Sequence, residues 1–110
     1  MNKTQETVEN SQEFGLSLNA LDGLRTVFTG SEDIKEIVIF GSRAKGNYKN
    51  YSDIDLAVMN TISFDTLLRL ETQIDDLLLP QEVDLIRFDS IENDALRDHI
   101  RRKGKLFYKR

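Results

Sequence analysis

The sequence predicts an α/β sandwich, a small mixed β-sheet with helices packed on it. Three observations predict it. Short β-branched runs alternate with longer stretches whose apolar residues recur at helical spacing. Their order along the chain is helix, strand, strand, helix, strand, helix and a short final strand. The 110 residues, 39% of them hydrophobic with a single proline, supply apolar material for one core and one domain. We divide the chain into a polar, aperiodic N-terminal arm over residues 1–15, expected to be flexible, and a domain over 16–110.

The first helix starts at Ser17, an N-cap residue, and is amphipathic, with Leu18, Leu21, Leu24, Val27 and Phe28 recurring at helical spacing; Thr29-Gly30 ends it. Glu36 to Phe40 (EIVIF) reads as a buried strand stopped by Gly41. Residues 41–52 are loop-like, with a short helical turn over Ser42 to Lys45, and Asp53 to Met59 (DIDLAVM) is the second strand. A helix from Ser63 uses Phe64, Leu67, Leu68, Ile74, Leu77 and Leu78 and ends at Pro80. Glu82 to Phe88 (EVDLIRF) is the third strand. Asp89 with Glu92 resembles a capping box that opens a helix running to Lys103, where three basic residues suit the helix dipole and Gly104 suits a left-handed C-cap. Lys105 to Lys109 forms the last strand.

Composition narrows the chemistry. There are no cysteines and one histidine, which excludes disulfides, thiolate zinc and thiol catalysis and leaves only oxygen ligands for a metal. No run approaches the roughly 18 apolar residues of a membrane span and no apolar leader is visible, so a soluble cytoplasmic protein with no second domain is expected. The formal charge of −4 conceals an asymmetry: residues 97–110 net +6 and residues 1–96 net −10. An acidic body argues against duplex DNA as a whole-surface partner, while the basic end suits a local phosphate or an acidic protein surface. His99 reads as solvated helix surface, and Tyr48 and Tyr51 as half-buried loop residues able to stack on a base.

Two clusters carry the chemistry. Strand alternation turns Asp53 and Asp55 to one side, with Cα atoms about 6.6 Å apart, while Ile54, Leu56 and Val58 face the core. Asp84, between Val83 and Leu85, also projects away from its apolar neighbours, so adjacency of the two strands would put three carboxylates in one area. Like charges so placed raise one another's pKa unless a divalent cation compensates them, and an oxygen-bound Mg²⁺ pair can serve both attacking and leaving oxygens of phosphoryl transfer. Ahead of them, Gly41-Ser42-Arg43-Ala44-Lys45-Gly46 follows a buried strand: glycine admits a phosphate to the backbone, amides and the Ser42 hydroxyl cradle it, and Arg43 and Lys45 add positive charge. A P-loop is excluded because Asn47 and Tyr48 follow Gly46, and an EF-hand because Ala57 and Val58 occupy the positions of its third ligand and glycine.

Gly41-Ser42-Arg43-Ala44-Lys45-Gly46, Ser52-Asp53-Ile54-Asp55-Leu56 and Val83-Asp84-Leu85 together resemble the DNA polymerase β nucleotidyltransferase superfamily, and more closely the minimal nucleotidyltransferases (MNT) of HEPN/MNT toxin-antitoxin systems. The resemblance covers about residues 16–108. It implies a nucleotidyltransferase fold in which Gly41 and Ser42 hold a nucleoside triphosphate, Asp53, Asp55 and Asp84 are catalytic and ligate Mg²⁺, and the third aspartate helps activate the attacking hydroxyl. Lys45 stands where family members often carry Arg, which keeps charge but loses a bidentate phosphate contact. The implied activity is transfer of AMP from ATP to a hydroxyl, a tyrosine of a HEPN-type ribonuclease toxin, with this chain as antitoxin. The alternative is a catalytically silent nucleotide-binding subunit that neutralises or assembles with its partner by direct binding. A homo-oligomer is compatible with either.

Overall fold

A computed structural model describes residues 13–110. Its elements are α1 (Leu18–Thr29), β1 (Glu36–Phe40), a one-turn α2 (Ser42–Lys45), β2 (Ile54–Val58), α3 (Phe64–Asp75), β3 (Val83–Arg87), α4 (Asp94–Lys103) and β4 (Lys105–Lys109), with 3-10 turns at Glu13–Gly15 and Phe88–Ser90. The strands form one sheet in the order β3-β2-β1-β4. β1 is antiparallel to both β2 and β4, and β2 is parallel to β3, so the sheet is mixed.

Strand alternation sorts the apolar residues onto two faces. Ile37 and Ile39 of β1 and Ile54, Leu56 and Val58 of β2 pack with Leu21, Leu24 and Phe28 of α1 and Leu70 and Ile74 of α3 into the main core. Val38, Phe40 and Ala57 face the other way and meet Ile100 of α4 and Phe88. The result is three layers, with α1 and α3 on one side of the sheet and α4 on the other. Helix starts follow the expected chemistry: the hydroxyls of Ser17 and Ser63 accept hydrogen bonds from the Ala20 and Thr66 amides, each at 3.1 Å.

Of the arm assigned to 1–15 only Glu13–Gly15 is among the described residues, and there Glu13 pairs with Arg25 at 2.7 Å. Three expectations are corrected. The third helix stops at Asp75, not at Pro80. Asp76 caps it, the Leu78 amide donates to the Asp75 carbonyl at 3.1 Å and Leu78 takes a left-handed φ of 54°; a left-handed residue past the last turn ends the helix before Leu79, the one residue that Pro80 itself restricts. The Asp89 capping box does not form; Asp89 lies in the 3-10 turn and accepts from the Thr61 hydroxyl at 2.9 Å, while Asn93 caps α4 through the Leu96 amide at 3.0 Å. Buried Phe88 holds the chain in a separate turn before the helix can start. Gly104 is extended (φ −69°, ψ 157°), not left-handed. Glycine stands there because a Cβ would run into Val38 and lie 2.5 Å from the Ile100 carbonyl oxygen.

Candidate functional site

The parallel register of β2 and β3 sets Asp55 opposite Asp84. On its other side Asp55 faces Phe40, the last residue of β1. Asp53 precedes β2 by one residue. Ile54 and Leu56, at opposite parity, are fully buried in the main core, so the acidic side chains belong to the face that α4 covers only in part. Asp53 and Asp84 are exposed and Asp55 is half-buried. Burial, then the Asp84 charge, then the Asp53 charge push the Asp55 carboxyl above the ordinary carboxylate range. Among the described residues no three such groups converge on a single ion position as they stand. The donor set itself, oxygen only and anionic, has the chemistry of a hard divalent-cation site.

The glycine loop closes against this cluster. Gly41 adopts φ 76°, ψ −153°, a region essentially reserved for glycine. A Cβ there would lie 2.5 Å from the Asp55 Oδ2 atom. The carboxylate and the loop backbone therefore abut, and any side chain at 41 would separate them. α2 begins at Ser42, and the amides of Ser42, Arg43 and Ala44 precede its first helical hydrogen bond, from the Lys45 amide to the Gly41 carbonyl at 3.1 Å. Ser42, next in the chain to Gly41, is half-buried.

Arg43 is not where the sequence reading put it. Instead of adding charge to the loop's open side, it is 2% exposed and its guanidinium is spent on main-chain carbonyls of Phe14, Gly15, Lys49, Asn50 and Ser52. Its side chain therefore does not face the open side of the loop. Lys45 stays exposed and, with Arg102, Lys103 and Lys105, lines a cavity of about 460 Å³ on the β4 side of the loop. That convergence of α2 with the start of β4 was not foreseen, although the +6 charge of the C-terminal segment was its signal. Tyr48 packs its ring on Arg43, 5.1 Å from the guanidinium carbon, and Tyr51 is 78% exposed. His99 is half-buried on α4. A groove of about 750 Å³ between α1 and α3 lies on the far layer, away from the carboxylates.

This mixed sheet, with Asp55 on β2, Asp53 just ahead of it and a glycine-serine turn at the end of neighbouring β1, has the nucleotidyltransferase fold of its structural neighbours. The chain belongs to the polymerase beta nucleotidyltransferase family, which residues 23–110 match. It is similar to the "Probable protein adenylyltransferase MntA" of Haemophilus influenzae, 40% identical over 65 residues, 57% of this chain and 56% of the relative. The chain spans about half the length of the curated relatives it matches. Its fold is that of a toxin-antitoxin crystal structure with AMP-PNP (TM-score 0.64, 22% identity, covering 82% of this chain and 73% of that one). It is also that of the structure of tri-AMPylated Shewanella oneidensis HEPN toxin in complex with MNT antitoxin (TM-score 0.59, 20% identity, covering 83% and 71%). Among the described residues no helix is long and apolar enough to cross a membrane.

Proposed function

We propose that this chain is a Mg²⁺-dependent protein adenylyltransferase that moves AMP from ATP to a tyrosine hydroxyl of a helical HEPN-type partner and thereby acts as its antitoxin. The observation that carries this is the position of Asp55, opposite Asp84 on one side and against the Gly41 backbone on the other. The names of the relatives and the AMPylated toxin of a structural neighbour support the choice of AMP and of a HEPN-type acceptor.

In this reading Gly41 and Ser42 receive the triphosphate and orient its α-phosphorus toward the strand ends. Asp53, Asp55 and Asp84 would hold Mg²⁺, which when bound neutralises the clustered carboxylates and the charge that builds on the phosphate oxygens. Asp84, exposed on the edge strand β3, accepts the tyrosine proton. The phenolate oxygen attacks the α-phosphorus, the bond to the bridging oxygen breaks, and pyrophosphate leaves. The carboxylates serve by placement: near-attack alignment supplies several kcal/mol of such a barrier, about 7–11 in favourable intramolecular cases.

The test is incubation of the protein with labelled ATP, Mg²⁺ and the HEPN-type partner, beside the double variant Asp53→Ala, Asp55→Ala. Label on the partner that depends on both aspartates is expected; no label with the wild type refutes the transfer. A second reading, neutralisation by binding alone, draws on the cation-lined cavity of Lys45, Arg102, Lys103 and Lys105, which offers a docking surface independent of the carboxylates. A double variant that still protects cells fully from the partner would favour it.

A further inference from the structure

The side chain most deeply built into the site's framework is Arg43. Its Nε donates to the Ser52 carbonyl at 3.1 Å. Nη2 donates to Ser52 at 2.9 Å, Asn50 at 3.2 Å and Lys49 at 3.3 Å. Nη1 donates to Phe14 at 2.9 Å and Gly15 at 3.4 Å. A buried, permanently charged guanidinium must replace its whole hydration shell, and here five main-chain carbonyls do so. The loop over 49–52 is wound about one planar fork, and Ser52 closes it further by accepting the Lys49 amide on its hydroxyl at 2.8 Å.

The place of these contacts matters more than their number. Ser52 immediately precedes Asp53, and Asp53 lies outside β2, so the sheet ladder alone does not hold it. Arg43 follows Ser42 and is two residues from Gly41. One guanidinium thus ties the backbone entering Asp53 to the helix that carries the phosphate loop. Its other arm holds the turn Glu13–Gly15, where Phe14 and Gly15 take φ values of 58° and 72° and a Cβ on Gly15 would run into the Tyr48 ring that packs on Arg43.

We infer that Arg43 is a positioning residue: it fixes Asp53 relative to Gly41 and Ser42 and anchors the N-terminal turn to the same point. The inference rests on the adenylyltransferase reading for its kinetic arm only. Lysine at 43 keeps the charge but presents one ammonium in place of a rigid fork, so it cannot hold both arms together. Displacement of a reacting group by about 1 Å costs on the order of 100-fold in rate.

The experiment compares Arg43→Lys and Arg43→Gln with the wild type in two assays. Hydrogen exchange of the metal-free protein is expected to show the Ser52 amide, bonded to the Lys49 carbonyl at 3.1 Å, exchanging at least tenfold faster, with amides of β1 and α3 changed less than threefold. Steady-state transfer to the partner is expected to lose at least tenfold in kcat while KM for ATP stays within threefold, with Arg43→Lys between wild type and Arg43→Gln. If Arg43→Gln loses its cooperative melt, Arg43→Lys carries both assays. Exchange that rises alike throughout the chain means a general structural role and overturns the inference. So does an unchanged kcat, or a loss confined to KM, which would return Arg43 to the phosphate. An inactive wild type refutes the adenylyltransferase reading and leaves the exchange assay to decide this one.

Discussion

Gly41→Ala separates two physical reasons for one glycine. The first is the backbone: φ 76°, ψ −153° lies where a non-glycine residue costs about 1–3 kcal/mol. The second is contact. The new Cβ sits 2.5 Å from Asp55 Oδ2, so the carboxylate must leave its rotamer, at a further cost of about 0.5–1.5 kcal/mol. The sum is about 1.5–4.5 kcal/mol, and for a domain of this size each kcal/mol lowers Tm by about 4–8 °C. Thermal denaturation of the metal-free protein is expected to show a fall of at least about 6 °C. In an Asp55→Ala background the nearest remaining Asp55 atom, its Cβ, is 3.6 Å away, an ordinary contact. There Gly41→Ala is expected to cost only the backbone share, a coupling of about 0.5–1.5 kcal/mol in the double-mutant cycle. A Gly41→Ala protein that melts within about 2 °C of wild type would refute the reasoning altogether. Equal losses in the two backgrounds would remove the contact between loop and carboxylate.

Three further outcomes are expected. The Asp55 carboxyl is held above its ordinary range by burial and by Asp84 and Asp53, so the folded state binds its proton more tightly than the unfolded chain. Its ionisation therefore costs stability as pH rises from the ordinary carboxylate range through the raised value. Metal-free Asp55→Asn should have a higher urea midpoint than wild type at pH 7 and lose that advantage near pH 3; an equal difference at both pH values contradicts the assignment. Gly104→Asn, which a left-handed cap would accept, should instead destabilise by about 1–3 kcal/mol, the usual cost of overpacking, because Val38 and the Ile100 carbonyl leave no room for a Cβ; a neutral effect in a thermal melt would restore the cap. Reversing Lys45 and Lys105 to Glu in the cation-lined cavity should weaken partner binding by about tenfold at low salt and much less at 0.5 M, as screening dictates; calorimetry showing unchanged affinity removes docking from that surface.

The sequence by itself determined what depends on near neighbours. The bounds of α1 and β1 follow from the Ser17 cap, the apolar spacing and the stops at Gly30 and Gly41. The Asp-x-Asp alternation follows from the period of two in any strand. The glycine-serine turn and the three aspartates were likewise readable, because their signal is residue type at fixed spacing. Tertiary structure decided whatever depends on segments distant in sequence. Adjacency of β2 and β3, which brings Asp84 to Asp55, is a choice among strand orders that alternation does not express. The choice between Asp89 and Asn93 as helix start was made by the burial of Phe88, and the need for glycine at 104 by Val38 across the sheet. Arg43 is the sharpest case. In the sequence it is a cation in a phosphate-binding loop. In the fold it is the most buried charge described, because carbonyls from residues 14, 15, 49, 50 and 52 meet around it, and only the folded chain brings those acceptors together.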